Sequence, residues 1–144
     1  MKKTKVEKIY PADTAGKCPR PLYTATVSAG FPSPAEDYLE TQLDLNKYLI
    51  AHPAATYFVR VTGDSMIDAG IHSGDLLIVD RSAEPADKNV VIANIDGELT
   101  VKRIRLQNGA VTLVPENQKY PSRSISRDMQ LEIWGVVKHV IHSL

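Results

Sequence analysis

Residues 56–80 read TYFVRVTGDSMIDAGIHSGDLLIVD, two apolar runs around a polar turn that carries glycine, aspartate and serine. Both runs, TYFVRVT and LLIVD, are short and rich in β-branched or aromatic residues, the pattern of strands rather than helices. Four more runs of the same kind follow: NVVIANID, ELTVKRIRL, AVTLVPEN and LEIWGVVKHVI. Ile95-Asp96-Gly97-Glu98 and Gln107-Asn108-Gly109-Ala110 lie between three of them. Asp-Gly and Asn-Gly accept the positive φ angles of a two-residue turn, so both predict tight hairpins. Six short strands with tight turns predict a mainly β, compact domain of short antiparallel strands.

Upstream of these strands the character differs. Residues 1–30 contain Pro11, Gly16, Pro19, Pro21 and Gly30 among small and polar residues. Proline removes backbone donors and glycine adds freedom, so the segment reads as a flexible N-terminal arm, with a short extended piece over Leu22–Val27. At SPAEDYLETQL, residues 33–43, helix signals begin. Ser33 is a cap, Pro34 suits a first turn, Glu36 stands three residues after the cap, and Leu39 and Leu43 share a helical face. Asp44 recaps a second turn through LNKYLIAH before Pro53. The expected organisation is an arm over 1–30 and a β domain over 31–144 that opens with a short helical region.

Composition narrows the function. A chain of 144 residues suits one ordinary domain, and 43% apolar residues suffice for a core. Seventeen basic residues balance seventeen acidic ones. That argues against sequence-specific DNA binding, which calls for a basic face. The single cysteine, Cys18, excludes an intramolecular disulfide and suits a reducing cytoplasm. No apolar run has the length of a membrane span, and the lysines of MKKTKVEKIY precede no apolar signal region. The expectation is a cytoplasmic protein without membrane attachment, cofactor or metal.

Two residues carry candidate chemistry. Ser65 follows Gly63-Asp64 at a strand-to-turn junction, where backbone N–H groups can form an oxyanion hole. Most serines in such turns only satisfy local backbone bonds, and that reading stands beside the catalytic one. A nucleophilic serine needs a base. His52, His72, His139 and His142 show no obvious orienting partner, and the spacing of His139 and His142 puts them on opposite strand faces, against joint metal binding. Lys102 is the other base. Alternation places it on one face with Thr100 and Ile104, where desolvation would lower its pKa. On the residues alone, a solvated strand lysine is the simpler reading.

SAGFPSP, ATYFVRVTGDSMIDAGIHSGDLLIVD, DGELTVKRI and IWGVVKHVI occur here in that order. Together they resemble the LexA-like self-cleaving serine peptidases of family S24, in the UmuD/MucA-like branch, accessory subunits of DNA polymerase V. The resemblance spans residues 28–142. It implies that Ser65 is the nucleophile and that Lys102, 37 residues on, is the general base. It implies a scissile bond between Ala29 and Gly30, with Val27 and Ser28 beside it in the cleft and backbone N–H groups of Asp64 and Ser65 as oxyanion donors. A small residue before glycine lets the chain enter a tight site. The resemblance further implies a homodimer, self-cleavage stimulated by the RecA filament on single-stranded DNA, and a UmuC-type Y-family polymerase as partner of the shortened form. LexA-type repressors carry a helix-turn-helix domain before the cut, and the 29 residues here hold no helix pair. The competing readings are a non-processed interaction module of a polymerase and a small transcriptional regulator. Trp134 reads equally as an interface residue and as a core aromatic.

Overall fold

The structure, a computed structural model, describes residues 2–23, 39–126 and 129–144. In chain order its strands are β1 (Lys5–Pro11), β2 (Pro19–Tyr23), β3 (Leu39–Asp44), β4 (Thr56–Thr62), β5 (Leu76–Asp80), β6 (Val90–Ile95), β7 (Glu98–Gln107), β8 (Ala110–Val114), β9 (Arg123–Ser124) and β10 (Leu131–Ile141). One short helix, α1 (Leu45–Leu49), follows β3. The described chain falls into two units, Met1–Ala12 with His52–Leu144, and Asp13–Ala51.

The six strands expected from the sequence are all present in the larger unit. Asp96 and Gly97 take φ of 51° and 89°, and Asn108 and Gly109 take 53° and 76°, so both expected hairpins form. They join β6, β7 and β8 into an antiparallel meander. The full sheet runs β1-β4-β5-β10-β6-β7-β8-β9. Lys5 of β1 also pairs with Thr100 of β7. That contact closes β1, β4, β5, β10, β6 and β7 into a six-stranded antiparallel barrel.

Strand alternation sorts the apolar residues. Val59, Val61, Met66, Ile71, Leu77, Val79, Ile92 and Val101 form one buried cluster. Val91, Ala93, Ile95, Ile104, Leu113 and Val136 form another. Neighbours such as Val91 and Ile92 point into different clusters, so β6 is buried on both faces. Burying one such side chain fully contributes about 1.5–3 kcal/mol. β10 serves two partners, β5 and β6, through register shifts at Ile133/Gly135 and Val137/His139. Trp134 packs against the first cluster, edge-on to Tyr57 with ring centres 5.5 Å apart, and the Arg81 guanidinium lies 4.4 Å from its ring centre. Its structural role is that of an aromatic at the core's edge.

Three features differ from the sequence reading. Lys5–Pro11 is not part of an unpacked arm; it pairs along β4 from Lys5↔Thr62 to Pro11↔Tyr57. Pro11 ends the strand, where its missing donor costs no ladder bond. Leu39–Asp44 is a strand paired with β2 instead of a helix. Tertiary pairing overrides the local cap signals there, as it often overrides propensity. Arg123–Ser124 adds a two-residue strand to β8. The expected recapping at Asp44 does occur: its carboxylate accepts the Asn46 N–H at 3.0 Å and starts α1. Ser33, Pro34 and Glu36 lie outside the described residues, as do Val27, Ser28, Ala29 and Gly30. Among the described residues no helix is long and apolar enough to cross a membrane.

Candidate active site

β4 ends at Thr62, and Gly63 turns the chain at φ +101°. The next residue, Asp64, is held by several neighbours. Its carbonyl accepts from Asn117 Nδ2 at 2.9 Å, and its carboxylate accepts the Tyr120 hydroxyl. Its N–H donates to the Lys2 carbonyl at 2.9 Å. Two residues on, Met66 is fully buried in the barrel core, and a single 3-10 turn, Ile67–Ala69, follows. Ser65 therefore sits between a pinned residue and an anchored one. Its position is set by packing rather than by a mobile loop.

β7 supplies the partner. Thr100 and Ile104 are buried, and Lys102 between them points the same way, as alternation requires. Lys102 Nζ donates to Ser65 Oγ at 3.3 Å. Burial disfavours the ammonium and lowers the Lys102 pKa to about 8; the charge of Lys3 acts in the same direction and Glu98 against it. At pH 7 roughly one molecule in ten then holds a neutral amine, against a vanishing share for an ordinary lysine. A neutral amine at this distance can accept the serine proton by reversing the hydrogen bond. Beside Lys102 a cavity of about 250 Å³ is lined by Thr100, Leu113, Tyr120 and Pro121, among others. Burial, with the Asp64 carboxylate as hydrogen-bond acceptor and charge, pushes the Tyr120 hydroxyl up to about 12, so it stays a donor.

The structure thus brings together Ser65, Lys102 and Asp64 of the expected site. Ser65 Oγ also accepts the Thr4 N–H at 2.7 Å, and Ser65 itself is 0% exposed. Sequence reasoning missed Thr4, Asn117 and Tyr120. The polar run PENQKYP directly after a strand-like segment was the available signal for the last two.

His52, His72 and His142 differ from expectation in having carboxylate partners. His52 Nδ1 lies 2.6 Å from Asp80 Oδ2. His142 Nδ1 lies 2.6 Å from Asp75 Oδ1, and His72 Nδ1 lies 3.8 Å from Asp75 Oδ2. The ligand atoms of His72, Asp75 and His142 fall within 4.8 Å of one another, the one group among the described residues with the donors for a cation. Asp75 already accepts the His72 backbone N–H at 2.7 Å, so in this state the cluster braces the turn before β5 against the end of β10.

The pattern of the Peptidase S24-like family matches residues 21–138. Protein SamA of Salmonella typhimurium strain LT2 is 51% identical over 122 residues, 85% of this chain and 84% of that protein. Protein ImpA of Escherichia coli is 48% identical over 134 residues, 92% and 91% of the two chains. Protein MucA of Escherichia coli is 48% identical over 120 residues, 83% and 82%. With a buried serine and a half-buried lysine within hydrogen-bond reach, and relatives of this similarity along most of its length, the chain belongs to the peptidase S24-like family, in its UmuD-like branch.

Proposed function

We propose that this protein is an SOS mutagenesis factor that cuts its own chain between Ala29 and Gly30 and thereby becomes the accessory subunit of an error-prone translesion polymerase. The observation that carries the reading is the 3.3 Å approach of Lys102 Nζ to Ser65 Oγ, on a lysine whose pKa burial has brought down to about 8. Family membership supports the serine peptidase chemistry.

In the proposed reaction neutral Lys102 takes the Ser65 proton as Oγ attacks the Ala29 carbonyl carbon. The oxyanion is met by the N–H groups of Asp64 and Ser65. Lys102 returns the proton to the Gly30 nitrogen, the C–N bond breaks, and Ala29 remains as an ester on Ser65. Water, deprotonated by Lys102, then hydrolyses the ester and releases the Ala29 carboxylate. Residues 1–29 are one product and the chain from Gly30 is the other. A RecA filament on single-stranded DNA stimulates the cut by favouring the reactive state. The product acts as a homodimer with a Y-family polymerase.

Intact-mass spectrometry of the purified chain, with and without activated RecA filament, tests this. A species beginning at Gly30, absent from Ser65→Ala and Lys102→Ala, is the expected result. A folded protein left whole with the filament and also at pH about 10, where even an ordinary lysine is partly neutral, would return the chain to the class of interaction modules.

A further inference from the structure

The segment Lys2–Thr4 runs between the serine turn and β7, held by two backbone–backbone hydrogen bonds and one from its backbone to the Ser65 side chain. The Lys2 carbonyl accepts the Asp64 N–H at 2.9 Å, and the Thr4 carbonyl accepts the Val101 N–H at 3.1 Å. The Thr4 N–H donates to Ser65 Oγ at 2.7 Å. The approach is so close that a Cβ on Gly63 would lie 2.3 Å from the Lys3 carbonyl oxygen. Lys3 pairs with Glu98 at 3.1 Å, and both Thr4 and Ser65 are 0% exposed. A peptide bound through alternate main-chain groups beside a sheet is strand addition, in which the backbone supplies the affinity. Such bonds are open to any other extended peptide.

The bound segment is out of register for cleavage. A peptide poised to react presents a carbonyl carbon to Oγ and the same carbonyl's oxygen to the oxyanion donors. Here the amide on Oγ is that of Thr4, whereas the oxygen on the Asp64 N–H belongs to Lys2. The Thr4 N–H also occupies a lone pair that Oγ would use in attack. The fit is incomplete as well. Thr4 Oγ1 and Thr100 Oγ1 are buried with no hydrogen-bond partner among the described residues, and such orphaned hydroxyls penalise the docked state.

We propose that Lys2–Thr4 is the resident occupant of the substrate groove, and that the stretch around Ala29–Gly30 must displace it before the bond is cut. The inference rests on the Ser65–Lys102 reading above. It makes cleavage a competition between two segments of one chain for the same backbone donors, and any partner that draws Lys2–Thr4 aside becomes an activator without touching Ser65 or Lys102.

The test compares the full chain with a variant lacking residues 2–4, which keeps β1, and with Thr4→Pro, which keeps the length and removes the N–H on Oγ together with the buried Thr4 hydroxyl. Each is incubated at pH about 10, above the Lys102 pKa of about 8 in the full chain and where even an ordinary lysine is partly neutral. Self-cleavage is followed by mass, and access to Ser65 by labelling with a fluorophosphonate, with Ser65→Ala as the blank. Circular dichroism confirms that each variant is folded. If the segment occupies the groove about nine-tenths of the time, cleavage and labelling both accelerate roughly tenfold in the variants. Equal or slower rates in both variants, with the full chain still cut and labelled, overturn the inference and leave the Ser65–Lys102 reading standing. Absence of cutting and labelling in every folded form instead overturns the Ser65–Lys102 reading, and the inference with it.

Discussion

Lys102 Nζ and Ser65 Oγ meet at 3.3 Å although 37 residues separate them along the chain. The meeting is a product of the barrel. β4 runs out at Thr62 and hands over to the serine turn, and β1 links the two sides by pairing with both β4 and β7. The same packing that joins the residues strips water from the amine, so the fold sets the distance and the pKa together.

A pH profile follows from that pKa. In the proposed reaction only neutral Lys102 serves as base, and its pKa is about 8. Self-cleavage should rise about tenfold per pH unit below that value and level off above it. Lys102→Ala should slow cleavage about 10²–10⁴-fold, the usual contribution of a positioned base. Densitometry of cut and uncut chain across a pH series checks both statements.

Burying an ammonium also costs stability, and the sign can be tested separately from activity. Below pH about 8 Lys102 is charged in the folded and unfolded states alike, and the full desolvation penalty applies. Between there and about pH 10.4 the unfolded chain binds more protons, so folded stability rises with pH. Lys102→Met should therefore melt at a higher temperature than the parent at pH 7, with an advantage that shrinks toward pH 10. A lower melting temperature for the variant at pH 7 would contradict the account.

The supports of the serine turn should matter without touching the reacting atoms. Asn117→Ala leaves the Asp64 carbonyl without its side-chain donor, and should destabilise the protein by about 1–3 kcal/mol in chemical denaturation. Tyr120→Phe removes the hydroxyl bond to the Asp64 carboxylate. It should slow cleavage while leaving the midpoint of the pH profile near that of the parent, since Lys102 keeps its burial and its charged neighbours. A shift of that midpoint would mean that Tyr120 acts on the base rather than on the turn.

Gly135 is a packing position. A Cβ there would lie 2.5 Å from Val79 Cγ1, inside the first core cluster's wall. Gly135→Ala should cost about 1–3 kcal/mol through overpacking. Thermal unfolding of Gly135→Ala alone and combined with Val79→Ala tests the cause: the double variant should recover part of the loss.

The strands from β4 to β8 and β10 were legible because each carries apolar residues at a two-residue period or as a short run between turn residues. Both hairpins were legible from Asp-Gly and Asn-Gly alone. Ser65 and Lys102 were visible as residue types, but a serine in a turn and a lysine on a strand have commoner explanations, and only the order of motifs along the chain paired them. β1 escaped notice because KVEKIYP is half charged and ends in proline; the strand exists through its partners β4 and β7. For LETQLD the local signals divided: Leu39 and Leu43 suit one face of a helix, while Leu39, Thr41 and Leu43 also fit a strand, and β2 decides between them. The carboxylate partners of His52, His72 and His142 lie 28, 3 and 67 residues away. Two of these pairs are contacts through space that a linear spacing cannot announce.

β1 is a stave of the barrel, yet it lies on the far side of the proposed cut from the other five. After cleavage at Ala29–Gly30 its peptide bond to the rest of the protein is gone and its ladder with β4 remains. The processed molecule is then a reconstituted pair, peptide plus body, with a dissociation constant of its own. Dilution empties the slot between β4 and β7 and concentration refills it. Native and denaturing mass spectra of one sample should accordingly disagree, the first holding a whole that the second finds in two pieces.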